Sequence, residues 1–373
     1  MQRLSTEDAV AAWATIESPT PPSASPTPKY EYYRPLADAA TAFVKEAQDS
    51  RRIHTGMPIL DAQMRGIGAG HLCLIVGYSH SGKTQVLLSW LRHNRDKRIA
   101  MFIPDEPAPL VLTKLTAVTH KIAARDLEAR VAANDRDAID MLRRTATDEF
   151  PNLAVFDKPL TPSVLERGYN EVSDVWGAEP DLVIVDYVDL VQTGGDTAQS
   201  KFDLLKGFGS RHEVPMIAIH QTSRSSGAEG RRLTISSGNY GGEQHATFLV
   251  GVRRKRSAIM AEIDLQREKA ERGSEAAYDK ISELEHDARI HQYTMTVSLL
   301  KNKRPGGGLV DEFDLEIDQD TGALYELAPG DLPSQHLYQL EHDKMIRHEQ
   351  ASKSGPWNPT SWTQPEIAYE GEF

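Results

Sequence analysis

Gly77-Tyr78-Ser79-His80-Ser81-Gly82-Lys83-Thr84 fits the pattern G-x-x-x-x-G-K-[S/T]. It follows the apolar run Leu72–Val76 and opens a helical pattern at Thr84, the strand–loop–helix setting in which such a loop holds phosphate. Gly77 and Gly82 let the backbone aim successive N–H groups at phosphate oxygens. The helix start adds a favourable dipole. Lys83 is expected to reach the β- and γ-phosphates of a nucleotide, and Thr84 to ligate Mg²⁺. These eight residues imply an α/β chain that binds ATP and Mg²⁺.

Three further strand ends supply polar groups. Leu182–Val185 is an apolar run closing on Asp186, an acid placed to complete the Mg²⁺ shell. A second run ends Ile103-Pro104-Asp105-Glu106, where an acid can orient and deprotonate an attacking water; Glu106 is preferred to Asp105. A third, Ile217–Ile219, ends in His220-Gln221, and Gln221 is placed to sense the γ-phosphate. Strand-like runs recur at Leu72–Val76, Ile99–Ile103, Leu153–Phe156, Leu182–Val185, Met216–Ile219, Phe248–Val252 and Met295–Leu300, with a hairpin at Glu312–Ile317 and Ala323–Glu326. Several are near-continuous, as strands buried on both faces of a mostly parallel sheet are. Helical patterns lie between the earlier ones, at Thr84–His93, Pro109–Ile122, Arg136–Thr147 and Pro162–Val175.

Composition narrows the class. The 373 residues contain one cysteine, Cys73, which excludes a disulfide framework or a multi-thiolate zinc site. No apolar run approaches the ~20 residues of a membrane span, and no leader is visible, so a soluble, cytoplasmic chain without membrane contact is expected. The net charge of −12 argues against a nucleic-acid binder with basic charge everywhere, while leaving room for a local basic loop. The Pro/Ser/Thr run at residues 18–29 reads as a linker between helical patterns at Thr6–Ile16 and Leu36–Ala47. Residues 257–290, rich in Ala, Glu, Lys and Arg around Gly273, read as a helical hairpin, either simply solvated or a partner-binding arm. One helix near Gln335–His348, then a flexible acidic tail, is expected at the end.

Several strings resemble the ATPase domain of the DnaB-like replicative helicases, within the RecA-like group. Thr55-Gly56-Met57-Pro58-Ile59-Leu60-Asp61 is similar to T-G-x-x-x-L-D. Val185-Asp186-Tyr187-Val188-Asp189-Leu190 is similar to I-D-Y-L-Q-L, and Val214-Pro215-Met216-Ile217-Ala218-Ile219-His220-Gln221 to V-P-V-I-A-L-S-Q. Glu243-Gln244-His245-Ala246-Thr247 resembles E-Q-D-A-D. Leu300-Lys301-Asn302-Lys303-Arg304 with Gly306–Gly308 resembles A-K-Q-R-N-G-P-T-G.

The resemblance implies a RecA-like P-loop ATPase core over residues 51–330, carrying the insert 257–290. It would be preceded by a segment 1–35 and a docking helix 36–50 in place of the family's N-terminal collar, and followed by a tail at 331–373. It implies catalysis by Glu106 with Lys83 and Gln221. It also implies cations that reach a neighbour's ATP site: Lys301, and either Lys303, at the family's arginine position, or Arg304 one residue on. Residues 224–256 carry five more positive than negative charges, and Arg231, Arg232, Asn239 and Tyr240 there are candidates for single-stranded DNA, with the loops near Thr193–Lys201 and Arg231–Gly242 lining a central channel. The implied protein is a phage-type replicative helicase, a homo-hexameric ring in the bacterial host cytoplasm, with primase, polymerase or loader recruited by its tails. A filament-forming recombinase and a non-translocating ATP-dependent adaptor are the alternatives.

Overall fold

The computed structural model describes residues 35–48, 52–193, 198–222, 232–235 and 242–334. The expected helices at Thr6–Ile16 and near Gln335–His348, the linker and the acidic tail lie outside the described residues. The chain divides into two units at residues 49/50. The first contributes one described helix, α1 (Leu36–Gln48), whose Leu36, Ala39, Ala40, Phe43 and Val44 fall on one stripe.

The second unit is built on one sheet of nine described strands: β1 (Leu72–Gly77), β2 (Ile99–Phe102), β3 (Leu153–Phe156), β4 (Leu182–Asp186), β5 (Met216–Gln221), β6 (Phe248–Arg254), β7 (Thr294–Asn302), β8 (Val310–Ile317) and β9 (Leu324–Glu326). Their order is β3-β2-β4-β5-β1-β6-β7-β8-β9. β3 to β6 in that order pair in parallel, and β6 to β9 antiparallel. The continuous apolar runs have the expected cause. Along β1, Cys73 and Ile75 enter the core on one face of the sheet, and Leu72, Leu74 and Val76 the core on the other. β4 and β5 alternate likewise, Ile184 and Ile217 to the first core, Val183 and Ala218 to the second.

The helices are α2 (Pro58–Met64), α3 (Lys83–His93), α4 (Ala108–His120), α5 (Ala124–Ala132), α6 (Arg136–Arg144), α7 (Pro162–Trp176), α8 (Ala198–Arg211) and α9 (Gly242–His245), then the hairpin α10 (Lys255–Glu271) and α11 (Glu275–Ile290). Local chemistry sets the ends of α7. The Thr161 hydroxyl accepts from Val164 N at 3.2 Å, Pro162 fills the first turn, and Gly177 closes it at φ 63°. The hairpin turns at Gly273, φ 93°, and has its own small core of Ile263, Leu284 and Ala288 with Ile259 and Ile281 against it.

Two departures from the sequence reading stand out. α8 lies where no helix was expected, because Gly207 and Gly209 depress helix propensity. Burial of Phe202, Leu205 and Phe208 outweighs that, and Gly209 lets the helix approach Met216, whose Cγ would stand 3.1 Å from an added Cβ. Consequently Lys201 belongs to the first turns of α8 and not to a flexible loop; of the expected loop Thr193–Lys201, residues 194–197 lie outside the described residues.

Candidate active site

Parallel pairing brings the C-terminal ends of β1, β2, β4, β5 and β6 to one edge of the sheet. Gly77 stands opposite Gln221, and Asp186 opposite Ile219. At that edge lies a cavity of about 360 Å³ lined by Ser79 to Gln85, Asp105, Glu106, Lys114, Asp186, Tyr187, Gln221 and Arg254, among others. Lys83, Thr84, Asp186, Glu106 and Gln221, expected from four separate stretches of sequence, therefore face one space.

The loop's two glycines answer different needs. Gly82 has φ 99°, a conformation that disfavours any side chain. Gly77 has no such φ; a Cβ there would collide with Val252 O and stand 2.6 Å from Ser81 Oγ. Its role is room, not backbone freedom as expected. His80 also adopts a positive φ, 59°.

Lys83 is buried, and its ammonium donates to Gly77 O at 2.9 Å and Tyr78 O at 2.6 Å. Burial lowers its pKa to about 8, against the pull of Asp186 and Asp189. Burial likewise raises Asp186 to about 7, helped by Glu106 and opposed by Lys83 and Lys114. Negative charge thus accumulates where two carboxylates converge, as suits a cation site, and the Thr84 hydroxyl with the Asp186 carboxylate is a donor set that Mg²⁺ accepts. Ser81 Oγ is buried with no hydrogen-bond partner among the described residues, a polar atom left over for a ligand at the loop. These residues fit a magnesium–nucleotide complex.

The finger candidates lie elsewhere. β7 runs antiparallel to β6, and Asn302 pairs with Phe248 at the start of β6, so Lys301, Lys303 and Arg304 sit at the opposite edge of the sheet from the cavity. Lys301 and Lys303 both reach Gln244 O, at 3.4 and 2.7 Å. The turn that carries them is pinned. Asn302 Nδ2 donates to Gln63 O at 3.0 Å, Gly308 N to Gln63 Oε1 at 2.8 Å, and Arg65 Nη2 to Pro305 O at 2.7 Å.

The DNA candidates fare unevenly. Arg231, Asn239 and Tyr240 lie outside the described residues. Arg232 is described and pairs with Asp311 at 2.5 Å, both exposed, a weak tie. Arg253 and Lys255 are not loop charges but pair at 2.5 Å with Glu312 and Asp314 on β8.

The DnaB-like helicase C-terminal domain family matches residues 52–275 of the chain. This protein belongs to that family. No curated protein matches it in sequence. Among solved structures, one described as an ATPase domain superposes with a TM-score of 0.57 at 17% identity, covering 79% of this chain and 98% of that one. A DnaB-like replicative helicase described with its interactions with primase gives 0.57 at 16%, covering 87% of this chain and 72% of that one. At such identities the likeness shows the RecA-like fold. The DnaB-like family itself is that of ATP-hydrolysing replicative helicases.

Within this DnaB-like site, three residues had escaped the sequence reading. Lys114, two turns into α4, pairs with Glu106 at 2.5 Å. Its signal was a lone cation in an apolar helix. Arg254 ends β6, lines the cavity and donates to His80 O at 3.3 Å, with burial lowering its pKa. Its signal was a cation at the end of a strand parallel to β1. Asp189, which takes the place of an uncharged residue in its string, contacts His220.

Proposed function

We propose that the chain is an ATP-dependent replicative DNA helicase that moves on single-stranded DNA as a hexameric ring with ATP sites between subunits. One observation supports this most: the cavity gathers Lys83, Thr84, Asp186, Glu106 and Gln221, whereas Lys301, Lys303 and Arg304 are held in a pinned turn at the opposite sheet edge. A cation that cannot serve its own site is suited to serve a neighbour's.

In this reading the Gly77–Gly82 backbone and Lys83 bind the phosphates of ATP, and Thr84 and Asp186 hold Mg²⁺. The metal, when bound, neutralises charge on the transferring phosphoryl group. Glu106 takes the proton of the attacking water. Gln221 links the nucleotide to the DNA-facing segments, and Arg231, Arg232, Asn239 and Tyr240 contact the strand. Residues 51–330 act as the motor with 257–290 as insert. Residues 1–35, 36–50 and 331–373 serve assembly and recruitment of primase, polymerase or loader in the cytoplasm. None of the described helices is long and apolar enough to cross a membrane.

Electron microscopy of the protein with single-stranded DNA and a non-hydrolysable ATP analogue tests the reading. Closed rings are expected. Open filaments would favour a recombinase, and monomers an adaptor.

A further inference from the structure

Two positions at which the chain departs from the strings it resembles touch each other. Asp189 stands where I-D-Y-L-Q-L has Gln, and His220 where V-P-V-I-A-L-S-Q has Ser. His220 Nδ1 lies 3.2 Å from Asp189 Oδ2. The His220 side chain is 3% exposed, and the edge of its ring meets Phe202 of α8 at 5.3 Å and 88°. A buried imidazole beside a carboxylate donates from Nδ1, so this contact is a directed hydrogen bond and not a chance approach.

Asp189 ties three segments together. The same Oδ2 accepts from Gln221 N at 3.4 Å, at the end of β5. Its residue sits in the 3₁₀ turn Val188–Leu190, three positions after Asp186. Its main-chain oxygen accepts from Lys201 Nζ at 2.5 Å, on α8. Thr193 and Ser200 bridge the same stretch through their hydroxyls at 3.1 Å. Burial pushes the Asp189 carboxyl up, but the bond and charge of His220, then Gln221 N and Lys201, hold it below its ordinary value. Lys83 also lies within electrostatic reach of Asp189. A Gln–Ser pair at these positions offers only neutral hydrogen bonds. Asp–His offers a charge-assisted one, which is stronger and more directional.

We propose that Asp189 and His220 are a pair of positioning residues that fix the end of β5, so that Gln221 faces the nucleotide, and tie it to the turn Val188–Leu190 and to Lys201 of α8. This rests on the reading of Gln221 as the link between nucleotide and DNA. Neither residue touches the reacting atoms; each acts through Gln221. Because each side chain is the other's hydrogen-bond partner, either change alone leaves the remaining group mismatched, while Gln and Ser together can restore a neutral hydrogen bond.

The test is a double-mutant cycle on the full chain, measuring kcat and KM for ATP with and without single-stranded oligonucleotide. Asp189→Asn, Asp189→Gln and His220→Ser are each expected to lower DNA-stimulated kcat about tenfold with KM within about threefold, because the phosphate loop is untouched. Asp189→Gln with His220→Ser is expected to recover to within about threefold of wild type, a non-additivity that contacting residues show and distant ones do not. His220→Asn, which presents an amide N–H near the Nδ1 position, should lose less than His220→Ser. A double variant no better than the worse single, or singles indistinguishable from wild type, would overturn the proposal. Gln221→Ala separates the two levels. If it keeps wild-type turnover, the reading of Gln221 fails and the pair's role with it. If it is impaired while the cycle is additive, only the pair proposal fails.

Discussion

Lys114 Nζ holds one carboxylate oxygen of Glu106 at 2.5 Å, while the other oxygen, Oε2, is buried without a hydrogen-bond partner among the described residues. The ion pair fixes the carboxylate and leaves one oxygen for chemistry. Asp105, one residue earlier, is exposed on the rim. Glu106→Gln keeps shape and removes the proposed base, so kcat should fall about 10²–10⁴-fold with nucleotide affinity retained. Asp105→Asn should cost far less. Steady-state hydrolysis and fluorescent-nucleotide binding check both, and a larger loss at Asp105 would transfer the role to that residue.

If each cavity borrows cations from the far edge of another subunit, as proposed, specific ATPase activity should rise with protein concentration. Removing the finger should cost about 10³–10⁵-fold where an arginine supplies it. Lys301→Ala, Lys303→Ala and Arg304→Ala, compared singly, identify which cation matters. Mixing a finger variant with Lys83→Ala protein should restore part of the activity, since one supplies the loop and the other the finger. Purely additive rates in the mixture would count against shared sites.

The hairpin of α10 and α11 leaves and rejoins the sheet at neighbouring points, for Arg254 and Met295 are cross-strand partners. Its apolar core is internal to the two helices. Replacing residues 257–290 by a short turn keeps the Lys255–Asp314 ion pair and every motif residue. The shortened protein should keep kcat within about twofold and Tm within about 4 °C of the parent. Circular dichroism melts and hydrolysis rates decide; loss of the cooperative transition would mean that the hairpin is part of the core.

His71, just before β1, gives a pH signature. Its Nδ1 accepts from Gly68 N at 3.2 Å, so the neutral ring is the one the fold uses. Burial, then Arg304, Lys206 and Arg52, lower its pKa to about 4. The unfolded imidazole takes up a proton near pH 6.5, the folded one only near 4. Between these values the unfolded chain binds the extra proton. The contribution is therefore fully present above pH 6.5 and is lost as pH falls toward 4, by at most about 3 kcal/mol. Urea melts across this window should show a steeper decline for wild type than for His71→Gln. Parallel curves would contradict the assignment.

The strands were legible because both faces of this sheet are buried, so runs such as Leu182–Val185 read as apolar throughout. The cavity was legible because the phosphate loop follows one such run and Glu106, Asp186 and Gln221 lie at the ends of others. What stayed hidden follows from the same physics. α8 was masked by Gly207 and Gly209, whose low propensity is overridden by packing against Met216. Lys114 and Arg254 join the site through tertiary pairing, for which a lone cation in an apolar helix or at a strand end is only a weak signal. The local count over residues 224–256 misled because Glu312 and Asp314, which neutralise Arg253 and Lys255, come from a strand about 60 residues later. The two loop carbonyls that Lys83 meets are likewise not legible in the sequence.

Strand displacement on a forked DNA duplex, with ATP and Mg²⁺, tests the central claim most directly. The full chain should release the labelled strand at a rate that follows ATP hydrolysis, and Lys83→Ala protein, folded as judged by its melting curve, should neither hydrolyse nor displace. Robust DNA-stimulated hydrolysis with no displacement from a fork bearing either single-stranded tail would contradict the helicase reading, and displacement by the Lys83→Ala protein at the wild-type rate would contradict the site.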